Sequence, residues 1–183
     1  MDTVIQRDQR KIGYFVLKGF LGKTPDELTE VFDKFAGEQI DELIVDLRYN
    51  GGGTLGGSLF LAEFMVNDAQ EGEVYVKRSH NDKQTQQDTA YRFKQDSLNI
   101  SLGLERTYFL TTQSTASASE ALINGLDPYL DVYIVGQDTY GKPVGMTPFS
   151  DNYQRYVFLP VTFRLENSEG VADYYQGLPA NVQ

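Results

Sequence analysis

The chain has 183 residues, and its 26 acidic residues outnumber its 16 Lys and Arg residues, giving a net charge of −10 at pH 7 with histidine neutral. This balance excludes the clustered basic surface that nucleic-acid binding requires. Cysteine is absent and there is one histidine, so disulfides, thiolate nucleophiles and metal sites rich in Cys or His are excluded. No apolar run is long enough to span a membrane. We expect one globular domain over residues 1–183.

The first fifty residues predict a β-α-β unit. "IGYFVLKGF" at 12–20 is rich in β-branched and aromatic residues and predicts a strand. "TPDELTEVFDKFAG" predicts a helix capped by Thr24 and ended by Gly37. "ELIVDL" at 42–47 then predicts a short buried strand, so the two strands should pair in parallel. The expected buried face of the helix consists of Leu28, Val31, Phe32 and Phe35.

The rest of the chain continues to alternate strands and helices. Helices are expected at 58–67 and 117–127, and strands at 72–79, 106–112, 132–137 and 155–165. Residues 79–101 are polar and predict a helix or a surface excursion, and His80 is expected in a solvated loop. The alternation predicts an α/β layered fold. We interpret three aromatic residues of the last third as core: Phe149, Phe158 and Phe163.

A glycine-rich stretch, "DLRYNGGGTLGG", comes after the buried strand "LIV" at 43–45. Five of the seven residues from Gly51 to Gly57 are glycine, which indicates a close backbone approach or positive φ. One interpretation is the G-x-G-x-x-G motif of dinucleotide-binding folds. Against it, the strand ends in Asp46 and Arg48, and no acidic residue closes a second strand about 20 positions later.

Two further segments carry residues suited to nucleophilic chemistry. In "TTQSTASASEA", residues 111–121, a serine-rich turn precedes a helix, where hydroxyl and free N–H groups suit an oxyanion. A serine nucleophile needs a base, and a lysine can serve where burial favours its neutral form. Lys142, within "DTYGKPVG" at 138–145, fits that requirement. The alternative is a helix-capping serine and a surface lysine.

The three segments in this order resemble the C-terminal processing peptidases, or tail-specific proteases, over about residues 12–182. The resemblance implies that Ser117 is the nucleophile and Lys142 the general base of a Ser-Lys dyad. It also implies an oxyanion hole formed by the backbone N–H of Ala118 and that of Gly52 or Gly53. Each such donor contributes about 3 kcal/mol to transition-state stabilisation. Supporting roles are expected for Asp46, Arg48, Asn50 and Glu120.

The same resemblance implies a fold and a biological setting. The fold would be the ClpP/crotonase-like spiral of β-β-α units, and the reaction would need no cofactor or metal. Substrates would be protein chains cut near or after apolar C-terminal tails, in a bacterial cell envelope such as the periplasm, with a possible lipid anchor in a longer protein. The family's PDZ domain precedes the region seen here, so we expect this chain to be a catalytic core.

Two positions depart from the family pattern. Met146 stands where the family often has a glutamine, and Pro143 replaces the glycine after the lysine. These departures keep a second hypothesis open, in which the same fold is a non-catalytic protein that binds peptides or glycans. That hypothesis predicts that Ser117→Ala changes no activity.

Overall fold

The computed structural model describes residues 1–94 and 100–182. In chain order the strands are β1 (Asp2–Arg7), β2 (Arg10–Val16), β3 (Glu42–Asp46), β4 (Val74–Ser79), β5 (Thr89–Arg92), β6 (Arg106–Thr111), β7 (Asp131–Gly136), β8 (Val144–Met146), β9 (Phe149–Ser150), β10 (Val157–Phe158) and β11 (Val161–Glu166). The helices are α1 (Thr24–Glu38), α2 (Leu55–Met65) and α3 (Ala118–Leu126).

The main sheet has the strand order β1-β2-β3-β6-β7. β1 and β2 are antiparallel, whereas β2, β3, β6 and β7 run parallel to one another. The predicted β-α-β unit is confirmed, because α1 connects β2 to the parallel β3. Asp46, at the end of β3, pairs with Leu110 near the end of β6. The glycine-rich turn and the serine-rich turn therefore leave the sheet side by side.

The hydrophobic core lies between the main sheet and the helices. Phe32 and Phe35 of α1 are fully buried, and the Phe32 ring stacks on Phe64 of α2 with centroids 4.5 Å apart. The expected buried face of α1 is therefore confirmed for Leu28, Phe32 and Phe35. α2 packs against both α1 and α3, which explains why it is apolar on all sides. α3 also contacts β4 and β11, so it joins the two main layers of the molecule.

The predicted ends of α1 are wrong by one residue at each end. Thr24 is the first helical residue, and its hydroxyl accepts a hydrogen bond from Leu21 N–H (2.9 Å) in the preceding turn. The helix continues past Gly37 to Glu38 and stops at Gln39, which takes the left-handed conformation with φ 54°. Gln39 thus provides the ending for which glycine is usually required.

A second sheet has the order β5-β4-β11-β8 and is antiparallel throughout, and β9 pairs with β10 as a separate hairpin. The single strand predicted over 155–165 is therefore wrong, since it is interrupted at Leu159 and Pro160. The core assignment is also wrong for Phe149 and Phe158, which are 54% and 65% exposed. Among the described residues, no further strand pairs with this hairpin, and its aromatic side chains stay in contact with solvent.

The polar segment over 79–101 also differs from its prediction. It contains a short 3-10 turn at 85–87 and then β5, and the part at 95–99 lies outside the described residues. Residues 81–89 after His80 are exposed, as expected of a solvated loop, but the His80 side chain itself is 3% exposed and lies 3.1 Å from an Asp88 carboxylate oxygen. Within residues 1–94 and 100–182, no helix is long and apolar enough to cross a membrane.

Candidate active site

Ser117 occupies a strained turn between β6 and α3. Its backbone has φ 57° and ψ −114°, a combination that costs free energy for a residue with a Cβ. The turn is fixed by Thr115, whose hydroxyl donates to Leu47 C=O (2.8 Å) and accepts from Thr112 N–H (3.1 Å). These bonds attach the serine-rich turn to the end of β3 and hold Ser117 at the start of α3.

The glycine-rich turn approaches Ser117 at Gly52, which has φ 104°. A Cβ built on Gly52 would lie 2.8 Å from both Ser117 Cβ and Ala116 O, so a larger residue cannot occupy this position unchanged. Gly53, with φ 142°, makes a similarly close approach to the backbone of Phe20. The close approach indicated by the glycines is therefore between segments of this chain.

Asn50 organises the backbone around this approach. Its buried amide donates to Leu17 C=O (2.9 Å) and accepts from Gly52 N–H (2.9 Å). Its own C=O accepts hydrogen bonds from Ala116 N–H (3.1 Å) and Ser119 Oγ (3.1 Å). Asn50 thus joins the end of β2, the glycine-rich turn and the serine-rich turn.

Glu120 connects the serine-rich turn to the lysine loop. Its fully buried carboxylate accepts, on Oε2, the N–H groups of Ser117 (2.8 Å) and Lys142 (2.9 Å). Its Oε1 accepts the Thr139 hydroxyl and the Gly141 N–H, each at 2.6 Å. Glu120 caps the start of α3 through the Ser117 N–H, and the same carboxylate also fixes the backbone that carries Lys142. Sequence reasoning did not anticipate this second connection.

The lysine loop is also held from behind by the C-terminal segment. Thr139 exchanges hydrogen bonds with Leu178, its hydroxyl accepting the Leu178 N–H at 2.8 Å. Gly177 has φ 96°, and a Cβ there would collide with Thr139 O. Tyr140 N–H donates to Thr115 C=O (2.9 Å). The close contact at Gly177 is one that only glycine tolerates.

Ser117, Ala118, Gly53 and Lys142 all line one cleft with a volume of about 360 Å³. The Lys142 side chain is half-buried, and in the described part of the chain no carboxylate forms a salt bridge with it. Five apolar side chains also line the cleft: Leu55, Val144, Met146, Phe163 and Leu165.

The predicted oxyanion donors occupy different places. Gly52 is buried and its N–H is used by Asn50 Oδ1, whereas Gly53 is exposed and lines the cleft. Ala118 is the first residue of α3, where a helix leaves N–H groups without internal partners. Gly53 and Ala118 are thus the two candidate donors at the cleft surface.

Asp46 and Arg48 form a brace at the base of the glycine-rich turn. Arg48 donates to the Asp46 carboxylate through Nη2 (2.7 Å) and Nε (3.0 and 3.1 Å), and Tyr14 donates its hydroxyl (2.8 Å). Burial by itself raises the pKa of Asp46, but the hydrogen bonds from Arg48 and Tyr14 outweigh it and leave the pKa below its ordinary value. The hydrogen bond to Asp46 in turn raises the pKa of Tyr14. Neither Asp46 nor Arg48 lines the cleft.

The described ranges, 1–94 and 100–182, contain no cluster of three or more His, Cys, Asp or Glu side chains that could hold a metal ion. The groups at the cleft that could take part in a reaction are the Ser117 hydroxyl, the Lys142 amine and backbone N–H groups.

Comparisons with protein-family models and with curated proteins point to the same family of peptidases. The sequence model of peptidase family S41 matches residues 11–171. A probable CtpA-like serine protease of Staphylococcus aureus (strain N315) is 27% identical over 145 residues, which are 79% of this chain and 28% of that protein. Carboxyl-terminal-processing peptidase 2, chloroplastic, of Arabidopsis thaliana is 27% identical over 132 residues, which are 72% of this chain and 24% of that protein. The chain thus spans about a quarter of the length of these curated relatives.

Solved structures show the same likeness. The crystal structure of a putative S41 protease from Bacteroides fragilis NCTC 9343 superposes with a TM-score of 0.93 at 27% identity, over 100% of this chain and 49% of that one. The photosystem II D1 C-terminal processing protease superposes with a TM-score of 0.76 at 23% identity, over 94% of this chain and 42% of that one, and shows the shared fold. These findings confirm the resemblance and the α/β fold class, and the ClpP/crotonase-like spiral is consistent with them. The chain belongs to peptidase family S41.

Proposed function

We propose that residues 1–183 form the catalytic core of a serine endopeptidase in which Ser117 is the nucleophile and Lys142 the general base. The observation that carries this proposal is that both residues line one cleft while the buried Glu120 holds their backbone N–H groups on a single oxygen. Family membership supports the same class of reaction. The strained backbone at Ser117 is also typical of a functional residue.

In the proposed mechanism, neutral Lys142 Nζ accepts the proton of Ser117 Oγ as that oxygen attacks the carbonyl carbon of a peptide bond. The resulting oxyanion accepts hydrogen bonds from the N–H groups of Ala118 and Gly53. Lys142 then donates its proton to the departing amine, leaving an acyl group on Ser117. A water molecule, deprotonated by Lys142, hydrolyses the ester and restores the serine.

We propose protein chains as substrates, cut near or after apolar C-terminal tails. Apolar side chains among the residues that line the cleft, such as Leu55 and Phe163, support this preference. Two relatives named for processing of carboxyl termini support it as well. By the same family resemblance we propose a bacterial cell envelope as the setting.

A second candidate is a protein that binds peptides in this cleft without cutting them. Met146, at the position where a glutamine is usual, is 41% exposed and lines the cleft. Its thioether cannot orient an amine as an amide group does. The two candidates differ in what they predict for Ser117 and Lys142.

The test follows cleavage of reduced, carboxymethylated α-lactalbumin by mass spectrometry. The parent protein, Ser117→Ala and Lys142→Ala are compared, after circular dichroism shows that all three are folded. Cleavage by the parent alone, with at least a thousandfold loss in each variant, is the expected result. Equal behaviour of all three proteins would contradict the peptidase and favour the binding protein.

A further inference from the structure

The strand that follows Lys142 is short and has a glycine at its centre. β8 spans only Val144–Met146 and, in the described part of the chain, pairs with β11 alone. Just before it, Pro143 C=O accepts a hydrogen bond from Leu165 N–H of β11 (2.8 Å). A glycine inside a strand adds no side chain to the packing and weakens the strand. The position of β8, which begins two residues after Lys142, therefore depends on what β11 provides.

Phe163 of β11 provides the packing that this glycine lacks. Phe163 and Gly145 are directly opposite each other in the antiparallel pair. A Cβ on Gly145 would overlap atoms of the Phe163 ring, so the ring occupies the space that a side chain on β8 would fill. An aromatic ring packed over a glycine of the neighbouring strand stabilises the pairing of the two strands.

A bulge in β11 brings Phe163 to this position. β11 has one extra residue, Thr162, between the positions opposite Met146 and Gly145. The Thr162 hydroxyl forms a hydrogen bond with the hydroxyl of Thr147 (2.7 Å), just after β8. Bulges are common beside active sites, where they redirect a side chain. Here the bulge places Phe163 opposite the glycine and in the lining of the cleft.

The Phe163 ring is held by groups that lie outside the cleft. The Arg78 guanidinium is 4.5 Å from the ring centroid, a distance typical of cation–π attraction. The buried Arg78 Nε has no hydrogen-bond partner among the described residues, and an incompletely solvated cation is attracted to a ring more strongly. The His80 ring also contacts Phe163, with centroids 5.9 Å apart. Neither Arg78 nor His80 lines the cleft.

We propose that Phe163 is a positioning residue for Lys142. By filling the space over the glycine it fixes β8, and β8 fixes the backbone that carries the lysine amine. Met146 stands where the family often has a glutamine, so this lysine is positioned through the packing of its strand and not by an amide group at that place. The inference rests on the proposed peptidase function and specifies how that site holds its general base.

The first test changes Arg78, which contacts the ring but does not line the cleft. Arg78→Met keeps a long side chain and removes the cation. We expect the rate at which a small alkyl fluorophosphonate bonds to Ser117 to fall about threefold, because Lys142 has to accept the serine proton in that reaction. Arg155→Met is the matched control and should react like the parent, since its guanidinium lies 4.7 Å from the Tyr153 ring in the exposed hairpin.

The second test changes Phe163 and Gly145 together, after urea unfolding shows that each variant is folded. Phe163→Leu removes the ring and should slow the fluorophosphonate reaction about tenfold or more. Gly145→Ala should also slow it, because the new Cβ overlaps the ring. In the double variant the smaller leucine leaves room for the new methyl group, so the two losses should not multiply and the rate should exceed that of Gly145→Ala.

The outcomes separate this inference from the proposed function. A parent protein that neither cleaves α-lactalbumin nor reacts at Ser117 would overturn the peptidase and this inference with it. A reactive parent together with a parent-like rate in Arg78→Met or in Phe163→Leu would overturn the positioning role and leave the peptidase standing. The same holds if Phe163→Leu changes only KM for α-lactalbumin, because the ring would then contact substrate alone. If Phe163→Leu does not fold, Arg78→Met and its control decide.

Discussion

Ser117 and Gly52 face each other with little space between them, and both have positive φ, 57° and 104°. Because serine has a Cβ, the positive φ at Ser117 raises the free energy of the folded state. Hydrogen bonds made by Glu120, Asn50 and Thr115 in and around the turn offset this cost. Backbone strain of this kind is typical of a functional residue.

Gly52→Ala should reduce kcat/KM by about a hundredfold. The new Cβ would lie 2.8 Å from Ser117 Cβ and would also require an unfavourable φ. Gly56→Ala is the matched control, because a Cβ there meets no atom within 4 Å and Gly56 is not among the residues that line the cleft. Rates of peptide cleavage for both variants test this. Equal rates for the two would show that the close approach at Gly52 is not needed.

Glu120→Gln should lower kcat by about tenfold or more with a smaller change in KM. The amide group replaces one oxygen that accepts two N–H or O–H donors, so Ser117 and the loop of Lys142 lose their common anchor. Glu63→Gln provides the control, since Glu63 is a buried carboxylate of α2 that accepts Lys94 N–H (2.8 Å). A loss of kcat of the same size in Glu63→Gln would indicate general destabilisation and contradict the positioning role.

At the scale of elements, the site is assembled from the turns and loops at the carboxyl ends of three parallel strands. The glycine-rich turn comes after β3, the serine-rich turn after β6, and the lysine loop after β7. These strands are neighbours in the sheet, so three segments that are distant in sequence meet at one edge. The Asp46–Arg48 brace sits at the exit of β3 and should stabilise the whole edge.

The brace gives a pH dependence of stability. Because the folded pKa of Asp46 lies below its unfolded value of about 3.9, its contribution is complete above that value and is lost as pH falls through the folded pKa. Asp46→Asn should therefore be less stable than the parent at pH 7, by about 2 kcal/mol. The difference should shrink below about pH 4.

Urea unfolding across pH measures this difference, and Glu38→Gln, which alters an exposed contact with Lys11, is the control. An exposed pair contributes little, so Glu38→Gln should match the parent at each pH. A gap between Asp46→Asn and the parent that persists unchanged to pH 2 would contradict the ionic origin of the brace.

At the scale of the whole molecule, strong patterns predicted elements well and weak ones failed. The apolar run of β3 and the regularly spaced Leu and Phe residues of α1 identified both elements, because burial requires those patterns. The hairpin of β9 and β10 is as apolar as a core strand, so composition placed Phe149 and Phe158 inside. Only the three-dimensional structure shows that both side chains are exposed.

Some parts of the candidate site could likewise be predicted from the sequence, and others could not. Ser117, Lys142 and the glycines could be selected from the sequence because three ordered motifs carry them. The second contact of Glu120 and the support from Leu178 depend on how distant loops fold back on one another. No periodicity records such contacts, since the partners lie 22 and 39 residues apart in the chain.

The central claim, that Lys142 activates Ser117, is tested most directly by a fluorophosphonate probe, which forms a covalent bond with activated serine hydroxyls. Intact mass and peptide mapping of the treated protein should show one adduct, located on Ser117, in the parent protein. The adduct should be absent from Ser117→Ala and strongly reduced in Lys142→Ala. An adduct formed equally fast in Lys142→Ala, or none in the parent, would contradict the account.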